Sequence, residues 1–517
     1  MNILLTAINA KYIHSNLAVY SLRACAGEYR DAVELAEYTI NNQKDYILEE
    51  LYKRKPDVLC FSCYIWNIDY VTDIAREYKK LCPSVPIWVG GPEVSYEVEA
   101  FLRENPYIDG VMIGEGEDTF RELCGYYAHK RKLSDIAGIA FRKNSTGNST
   151  SVNNIGGNKA GEIVFTSPRP IKNMSEIPFC YDTLDDFSNR IIYYESSRGC
   201  PFSCSYCLSS VDKTLRFRDT EIVKRELKFF IDQKVPQIKF VDRTFNCNHA
   251  HAMELWRFIK ANDNGVTNFH FEISADLLNQ EELELISDMR PGLIQLEIGV
   301  QSTNEVTIKE IHRTMKLERL KEVVKLIQSG NNIHEHLDLI AGLPYEDYDS
   351  FGRSFDEIYE LKPNQLQLGF LKVLKGSYMF EHAAEYGIVY HDKPPYEVMS
   401  TKWLSFDDVI KIKRVEDMLE VYYNSGQFEI TMKLMECIFD SAFEFFQELG
   451  DFYEANGYFG MSHSRIRRCE ILLEFLALYL HGCDSDAITS VGLSENDGDR
   501  DNTDFDENTI DRDNTDF

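Results

Sequence analysis

Ser196–Cys207 reads SSRGCPFSCSYC and sets Cys200, Cys204 and Cys207 at C-x3-C-x2-C spacing. That spacing gathers three thiolates around one small centre. Three is an incomplete set for the common cysteine-bound metals. A structural zinc site takes four protein ligands, and a closed four-iron cluster takes a thiolate on each iron. Three thiolates on a [4Fe–4S] cluster leave one iron open, and an open position implies a substrate or cofactor bound to the metal. The alternative is a zinc loop or three unrelated thiols. The spacing, the apolar strand Ile191–Tyr194 before it and the sequence after it favour the cluster.

Outward from this loop, residues 186–390 alternate strand and helix patterns in six units. Strands end near Arg198, Asp242, Ser274, Gln301, Ala341 and Phe370, with helical periodicity between them. Six such units with polar residues at the strand ends describe a partial (β/α)6 barrel, whose catalytic face is the carboxyl end. Residues 1–142 alternate in five further units, with strands at Ile3–Ile8, Val33–Ala36, Val58–Ser62, Ile87–Gly90 and Gly110–Ile113. Short apolar runs between amphipathic helices indicate an α/β doubly wound parallel sheet. Its ligands are expected beyond the strand carboxyl ends, at loops Asn9–Asn16, Cys63–Asn67, Gly90–Glu93 and Gly114–Glu117. Residues 143–185 read as a linker, flexible at Asn144–Asn158, and residues 391–483 as a helical domain. There the aromatics Tyr378, Tyr390, Tyr396 and Trp403 either line a substrate mouth or, as we expect, pack in the core.

The cysteine loop, including Tyr206 just before its last cysteine, resembles the signature of the radical S-adenosylmethionine superfamily. The resemblance implies that the open iron chelates the amino and carboxylate groups of S-adenosylmethionine. One electron then splits the sulfonium to a 5′-deoxyadenosyl radical. Phe240–Asn246 is similar to a second-strand motif of the methylthiotransferase-like branch, with Arg243 where that branch often has an acid. Leu296–Ser302 resembles the superfamily's fourth strand. On this footing Tyr206, Asp242, Glu272, Ser274, Glu297, Gln301 and Arg313 are the expected S-adenosylmethionine contacts. A ribose and a zwitterion need acceptors and a cation of this kind. No catalytic side chain is assigned.

The first domain resembles the cobalamin-binding domain that precedes many of these enzymes. Gly90 and Gly91 match its double glycine, which admits the nucleotide tail of the corrin, and Ser62 matches its serine. Its Asp-x-His-x-x-Gly loop is absent, and Lys11–Leu17 stands there instead. Because no acid precedes His14 to orient it, cobalamin is expected to bind without a histidine on cobalt.

Composition narrows the function. Thirteen cysteines, several in apolar runs (Cys60, Cys63, Cys180, Cys437), fit a reducing compartment rather than a disulfide framework. No run approaches the ~18 apolar residues of a membrane span, and the first residues carry no basic leader. A soluble cytoplasmic enzyme is expected, with an unknown substrate, no membrane partner and an electron donor such as flavodoxin or ferredoxin. The net charge of −29 repels nucleic acid. Arg465, Arg467 and Arg468 read as a solvated helix face. The expected reaction is cobalamin-dependent methyl transfer to, or rearrangement of, an unactivated carbon. One alternative is methylthiotransferase-like modification of tRNA or protein. It needs a second cluster, for which Cys25, Cys60, Cys63, Cys82 and Cys124 are available, and an appended basic RNA-binding barrel that is missing. The other is a non-enzymatic iron–sulfur electron-transfer protein.

Residues 484–517 carry ten Asp and two Glu against two Arg and repeat DRDNTDF, so they are expected to be a disordered acidic tail. Removing Asp484–Phe517 is expected to leave melting temperature and cluster content unchanged. A large fall in melting temperature would show that the tail docks.

Overall fold

A computed structural model describes residues 1–143 and 161–482. The expected flexible stretch Asn144–Asn158 and the acidic tail 484–517 lie outside the described residues. The first strand, β1 (Ile3–Asn9), is buried along its whole length. Ile3, Leu5 and Ala7 enter one core while Leu4 and Ile8 enter another. A strand covered on both faces reads as a continuous apolar run, as a helix-flanked parallel sheet requires. β1 lies between β2 (Val33–Thr39) and β3 (Val58–Ser62), and β4 (Ile87–Gly90) and β5 (Gly110–Met112) follow, all parallel. The strand order reverses between β1 and β3, and the crevice beyond their carboxyl ends is the natural ligand position.

Two further strands follow, and the second of them falls inside the expected linker at 143–185. β6 (Ile139–Arg142) and β7 (Ile163–Phe165) pair antiparallel and extend the sheet to seven strands. The missed β7 is a three-residue triplet beside a polar tract, too short to show periodicity. Residues 166–187 then cross to the second domain as packed chain, burying Met174, Tyr181 and Phe187.

The second sheet is fully parallel and runs in sequence order from β8 (Ile192–Tyr194), omitting a small ribbon formed by β9 (Ser197–Arg198) and β10 (Arg216–Phe217). It continues through β11 (Gln237–Phe240), β12 (Asn268–Ile273), β13 (Ile294–Gln301), β14 (His334–Ala341) and β15 (Gln365–Phe370). β8 and β15 remain edges, so the barrel is partial. Burial alternates along β13. Ile294, Leu296 and Ile298 are buried in the core shared with the helices, whereas Gln295, Glu297 and Gly299 retain exposure on the inner face.

Beyond the barrel, a hairpin of β16 (Val389–Tyr390) and β17 (Val398–Ser400) leads into helices Phe406–Leu419, Ala442–Ala455 and Arg465–Gly482. Residue 390, the expected domain boundary, therefore falls inside a hairpin. Phe443 packs edge-on against Phe351 and tilted against Phe355 of the barrel helix Tyr348–Tyr359. Asp356 of that helix accepts hydrogen bonds from Ser441 Oγ (2.7 Å) and the Phe443 N–H (2.8 Å). Trp403 packs on Tyr345 at a ring separation of 4.4 Å. The arginine trio divides. Arg465 is exposed and Arg467 is half-buried, but Arg468 is buried where Tyr422 donates to its carbonyl, so it is not a solvated position. Among the described residues, no helix is long and apolar enough to cross a membrane.

One buried ion pair joins the crossing segment to the barrel. Arg218 donates to Glu226 (2.6 and 3.1 Å) and to the Met174 carbonyl (2.6 Å), and the Tyr194 hydroxyl donates to Glu226 (2.6 Å). Glu226→Ala leaves the guanidinium buried and unpaired, at an expected cost of about 3–5 kcal/mol. Thermal denaturation of the variant checks this, and an unchanged midpoint would refute it.

Candidate active site

The cysteine loop leaves the sheet at β8 and is fixed from several sides. Asp242, just beyond β11, is fully buried and accepts from the Ser196 N–H (2.8 Å), Ser196 Oγ (2.6 Å) and Ser197 Oγ (2.6 Å). Its carboxyl is pushed up to about 7 by burial, against the pull of those donors. Both oxygens are thus engaged within the chain. The expected cofactor contact at Asp242 is corrected to a pin that holds the cysteine loop. Gly199 sits at φ 91°, where a Cβ would lie 2.6 Å from the Thr214 carbonyl. Ser205 donates its N–H to Ile311 O and accepts from Met379 N–H, both at 2.9 Å.

Cys200 and Cys204 are buried, Cys207 is half-buried, and none is in a disulfide. Burial, and then the Cys207 and Cys204 charges, raise the Cys200 thiol, so the three sulfurs lie near one another. A four-iron cluster takes thiolates on separate irons, and three thiols from one short loop are a donor set that fits it. Arg313 lies against the loop, with Nη1 3.9 Å from Cys204 Sγ and donating to the Tyr206 hydroxyl at 3.3 Å. Its Nη2 donates to the Gly299 carbonyl, while its buried Nε finds no partner among the described residues. Gln301, at the end of β13 with φ 75°, has a buried Oε1 that is likewise unsatisfied. The fold therefore brings Tyr206, Gln301 and Arg313 together beside Cys204.

The other expected contacts sit differently. Ser274 donates its hydroxyl to Asp276 (2.7 Å) and its N–H to Asn246 (3.0 Å). Glu272 and Glu297 face each other across neighbouring strands, below the strand ends. Burial and then the Glu297 charge push the Glu272 carboxyl up to about 7, against Arg243 and Lys239. Burial would raise Glu297 too. His270 (Nε2 to Oε2, 2.9 Å) and Lys239 (Nζ to Oε2, 3.3 Å) outweigh it and hold that carboxyl well below the usual carboxylate range.

A cavity of about 610 Å³ lies between the two sheets' carboxyl edges. From the first domain it is lined by Ser62, Gly90, Gly91 and His14, and by Tyr64 and Trp66, whose rings stack at 4.4 Å and 7°. From the second it is lined by Tyr193, Arg243 and Glu272 and by Ser197–Gly199 of the cysteine loop. The reason for glycine at 91 is internal. At φ 118° a Cβ there would sit 2.3 Å from the Cys63 carbonyl. Gly114, at φ 73° with nothing within 4 Å of its would-be Cβ, is an open glycine on the same wall. An aromatic plate, glycine-lined loops and a position at the strand-order reversal suit a planar macrocycle with a nucleotide tail, so these residues fit cobalamin. His14 Nδ1 is 2.7 Å from the Tyr193 hydroxyl of the other domain. The imidazole thus has an orienting partner that its own loop lacks, which removes the reason for expecting it off the metal.

Contacts invisible in sequence lock this geometry. Arg198, next to Gly199, donates to Glu117 (2.8 Å) of the first domain and to Glu195 (2.7 Å), and Arg216 pairs with Glu115. From the C-terminal hairpin the Tyr396 hydroxyl donates to Glu93, and from the chain after β15 Lys375 stands 3.5 Å from the same carboxylate and Gly376 packs on Tyr96. The loops holding Glu93, Glu115 and Glu117 were singled out by their position after strands. Their partners lie too far along the chain for any local pattern to name.

Comparison with known proteins agrees with this arrangement. Residues 3–124 match the B12 binding domain, 194–358 the radical SAM superfamily and 384–500 a family described as protein of unknown function (DUF4080). The cobalamin-dependent radical SAM methyltransferase TokK of Streptomyces tokunonensis is 28% identical over 65% of this chain and 49% of its own length. An uncharacterised methyltransferase of Pyrococcus horikoshii is 24% identical over 70% of this chain and 75% of its own. The chain thus spans about half the length of the first of these curated relatives. The cobalamin-dependent S-adenosylmethionine radical enzyme OxsB, solved with aqua-cobalamin and S-adenosylmethionine bound, shares the fold at TM-score 0.64 and 15% identity, over 92% of this chain and 75% of that one. The chain therefore joins a B12-binding domain to a radical S-adenosylmethionine domain.

Proposed function

We propose that this protein is a cobalamin-dependent radical S-adenosylmethionine enzyme that methylates an unactivated carbon of a small substrate. The observation that carries the reading is the shared cavity. Loops of the B12-binding domain and the backbone of the cysteine loop line the same space. When bound, the cluster supplies the electron that cleaves S-adenosylmethionine to a 5′-deoxyadenosyl radical, and cobalamin supplies the methyl group. Cys200, Cys204 and Cys207 hold the cluster in this reading. Arg313 takes the cofactor's carboxylate, Gln301 accepts from its donors, and Tyr206 braces Arg313. Tyr64 and Trp66 cover the macrocycle and exclude water, Ser62, Gly90 and Gly91 receive its tail, and Tyr193 orients His14.

Methylthiotransfer is disfavoured by the remaining first-domain thiols. Cys25, Cys60, Cys63 and Cys124 are all buried while Cys82 is half-buried, and burial pushes Cys25 up to about 11 and Cys124 up to about 12. Neutral thiols inside an apolar core are poor ligands for a second cluster. All twelve described cysteines are free, which supports a reducing, cytoplasmic setting with a flavodoxin- or ferredoxin-like reductant as partner.

Anaerobically purified protein is expected to hold about four irons per chain together with cobalamin, and to cleave S-adenosylmethionine on reduction. Changing Cys200, Cys204 and Cys207 together to Ala should abolish the cluster's visible absorbance and the cleavage. About eight irons without cobalt would point instead to methylthiotransfer, and a triple variant that keeps its iron would sink the ligand assignment.

Asp242→Ala tests the pin separately. Losing three hydrogen bonds to a carboxylate should destabilise the cysteine loop by at least about 2 kcal/mol and lower iron content with all three cysteines intact. Full iron loading would show that the loop does not depend on Asp242.

A further inference from the structure

Among the described residues, four Lys or Arg side chains line the cavity between the two domains: Arg198, Arg218, Lys239 and Arg243. Three of them are matched by carboxylates. Arg198 donates to Glu117 and to both oxygens of Glu195, Arg218 pairs with Glu226, and Lys239 stands 3.3 Å from Glu297. Arg243 has no such match. It makes no hydrogen bond and no ion pair to a described residue, and its side chain is open to the cavity rather than packed.

Arg243 directly follows Asp242, the residue that pins the cysteine loop, so its backbone is set by the same hydrogen bonds. Charges on both sides of the cavity reach its guanidinium. Enclosure between the domains would lower its pKa, but the charges of Glu272, Cys207, Glu195 and Cys200, in that order, outweigh this and raise it. On the opposite wall, burial raises the Tyr64 phenol, against Ser62 and the Arg243 charge. The guanidinium thus stands within electrostatic reach of the cluster thiols and of the aromatic plate at once. A substrate that meets both a radical and a methyl donor has to enter this space. The anions already there do not pair with Arg243. Glu195 is occupied on both oxygens by Arg198, and the cysteine loop already has Arg313 beside Cys204.

An open guanidinium in water costs little. Covered by a neutral substrate, it would lose its water with nothing in exchange, which is costly. A carboxylate or phosphate removes that cost, because its oxygens match the forked N–H donors two at a time. We propose that Arg243 is the anchor for an anionic group of the substrate, a carboxylate or a phosphate ester, and holds the molecule between the cysteine loop and the Tyr64–Trp66 plate. The proposal rests on the radical-enzyme reading of the same cavity and adds the substrate's charge class to it. Arg313, beside Cys204, keeps its separate place as partner of the S-adenosylmethionine carboxylate.

The test is calorimetric titration of full-length protein reconstituted with its cluster and cobalamin and saturated with S-adenosylhomocysteine. Benzoate and phenyl phosphate are the anionic probes, and benzyl alcohol is the neutral probe of similar shape. At least one anion should bind at least about tenfold more tightly than benzyl alcohol, as a charge-assisted pair requires. The tighter of the two anions separates carboxylate from phosphate. Arg243→Gln should abolish the preference for the anion, and Arg243→Lys, which keeps the charge but not the fork, should weaken it severalfold. Melting temperature, iron content and S-adenosylhomocysteine affinity should stay unchanged in both variants. Should the Gln variant misfold, the Lys variant carries the comparison. Loss of iron from a folded variant would make Arg243 a counter-charge of the cluster, and weaker S-adenosylhomocysteine binding would make it a cofactor contact. Either result would overturn the anchor. So would a wild type that binds no anion or binds the neutral probe equally well, and so would an anion preference that survives both substitutions. A wild type that holds its cluster but takes up no cobalamin would overturn the proposed function instead, and the anion titration reads Arg243 in that protein as well.

Discussion

The buried carboxylate of Asp242 is the constraint on which the site depends. It stands just beyond β11 and takes three hydrogen bonds from Ser196 and Ser197, so the first turn of the cysteine loop cannot drift from the sheet. Two residues further along, Arg198 reaches Glu117 of the other domain. A single short segment thus fixes the thiols to the barrel and the barrel to the B12-binding domain. Burying an ionisable group at this point is costly, as its raised carboxyl shows. Three donors at short range offset that cost and confer a defined geometry.

Two parallel sheets meeting by their carboxyl edges explain why one cavity serves both domains. Each sheet offers ligands the loops beyond its strand ends, and facing edges merge the two crevices. The first domain contributes its glycine-lined loops and an aromatic plate, the second its cysteine loop and polar strands. Polar groups such as Arg313 Nε and Gln301 Oε1 lie unsatisfied at this junction, where a bound cofactor would complete them.

The C-terminal segment belongs to this architecture. Met379 holds the Ser205 carbonyl, and the hairpin places Tyr396 on Glu93, beside the Gly90–Gly91 turn. One stretch of chain therefore braces both the cysteine loop and the loop after β4. The helices beyond it pack on the barrel's outer surface through Phe443 and Asp356, away from the cavity. Their contribution is to bury the apolar face of Tyr348–Tyr359 and so hold the hairpin in place.

The cysteine spacing, the eleven parallel strands of the two sheets and the switch between domains were legible in the sequence, because each leaves a local mark. Thiol spacing is counted along the chain, strands alternate with period two, and helices repeat near 3.6. Tertiary structure alone decided what the flagged side chains face. Asp242 turned inward to serines 46 and 45 residues away, His14 met Tyr193 across 179 residues, and Tyr396 met Glu93 across 303. The strand Ile163–Phe165 was too short to show a period, and the buried Arg468 looked like its solvated neighbours. The polar inner face of the barrel was written in alternate residues of five strands, but only the pairing of those strands in register places them together. Sequence records what a residue does with its near neighbours, whereas hydrogen bonds and cavities are made by residues that folding brings together from far apart.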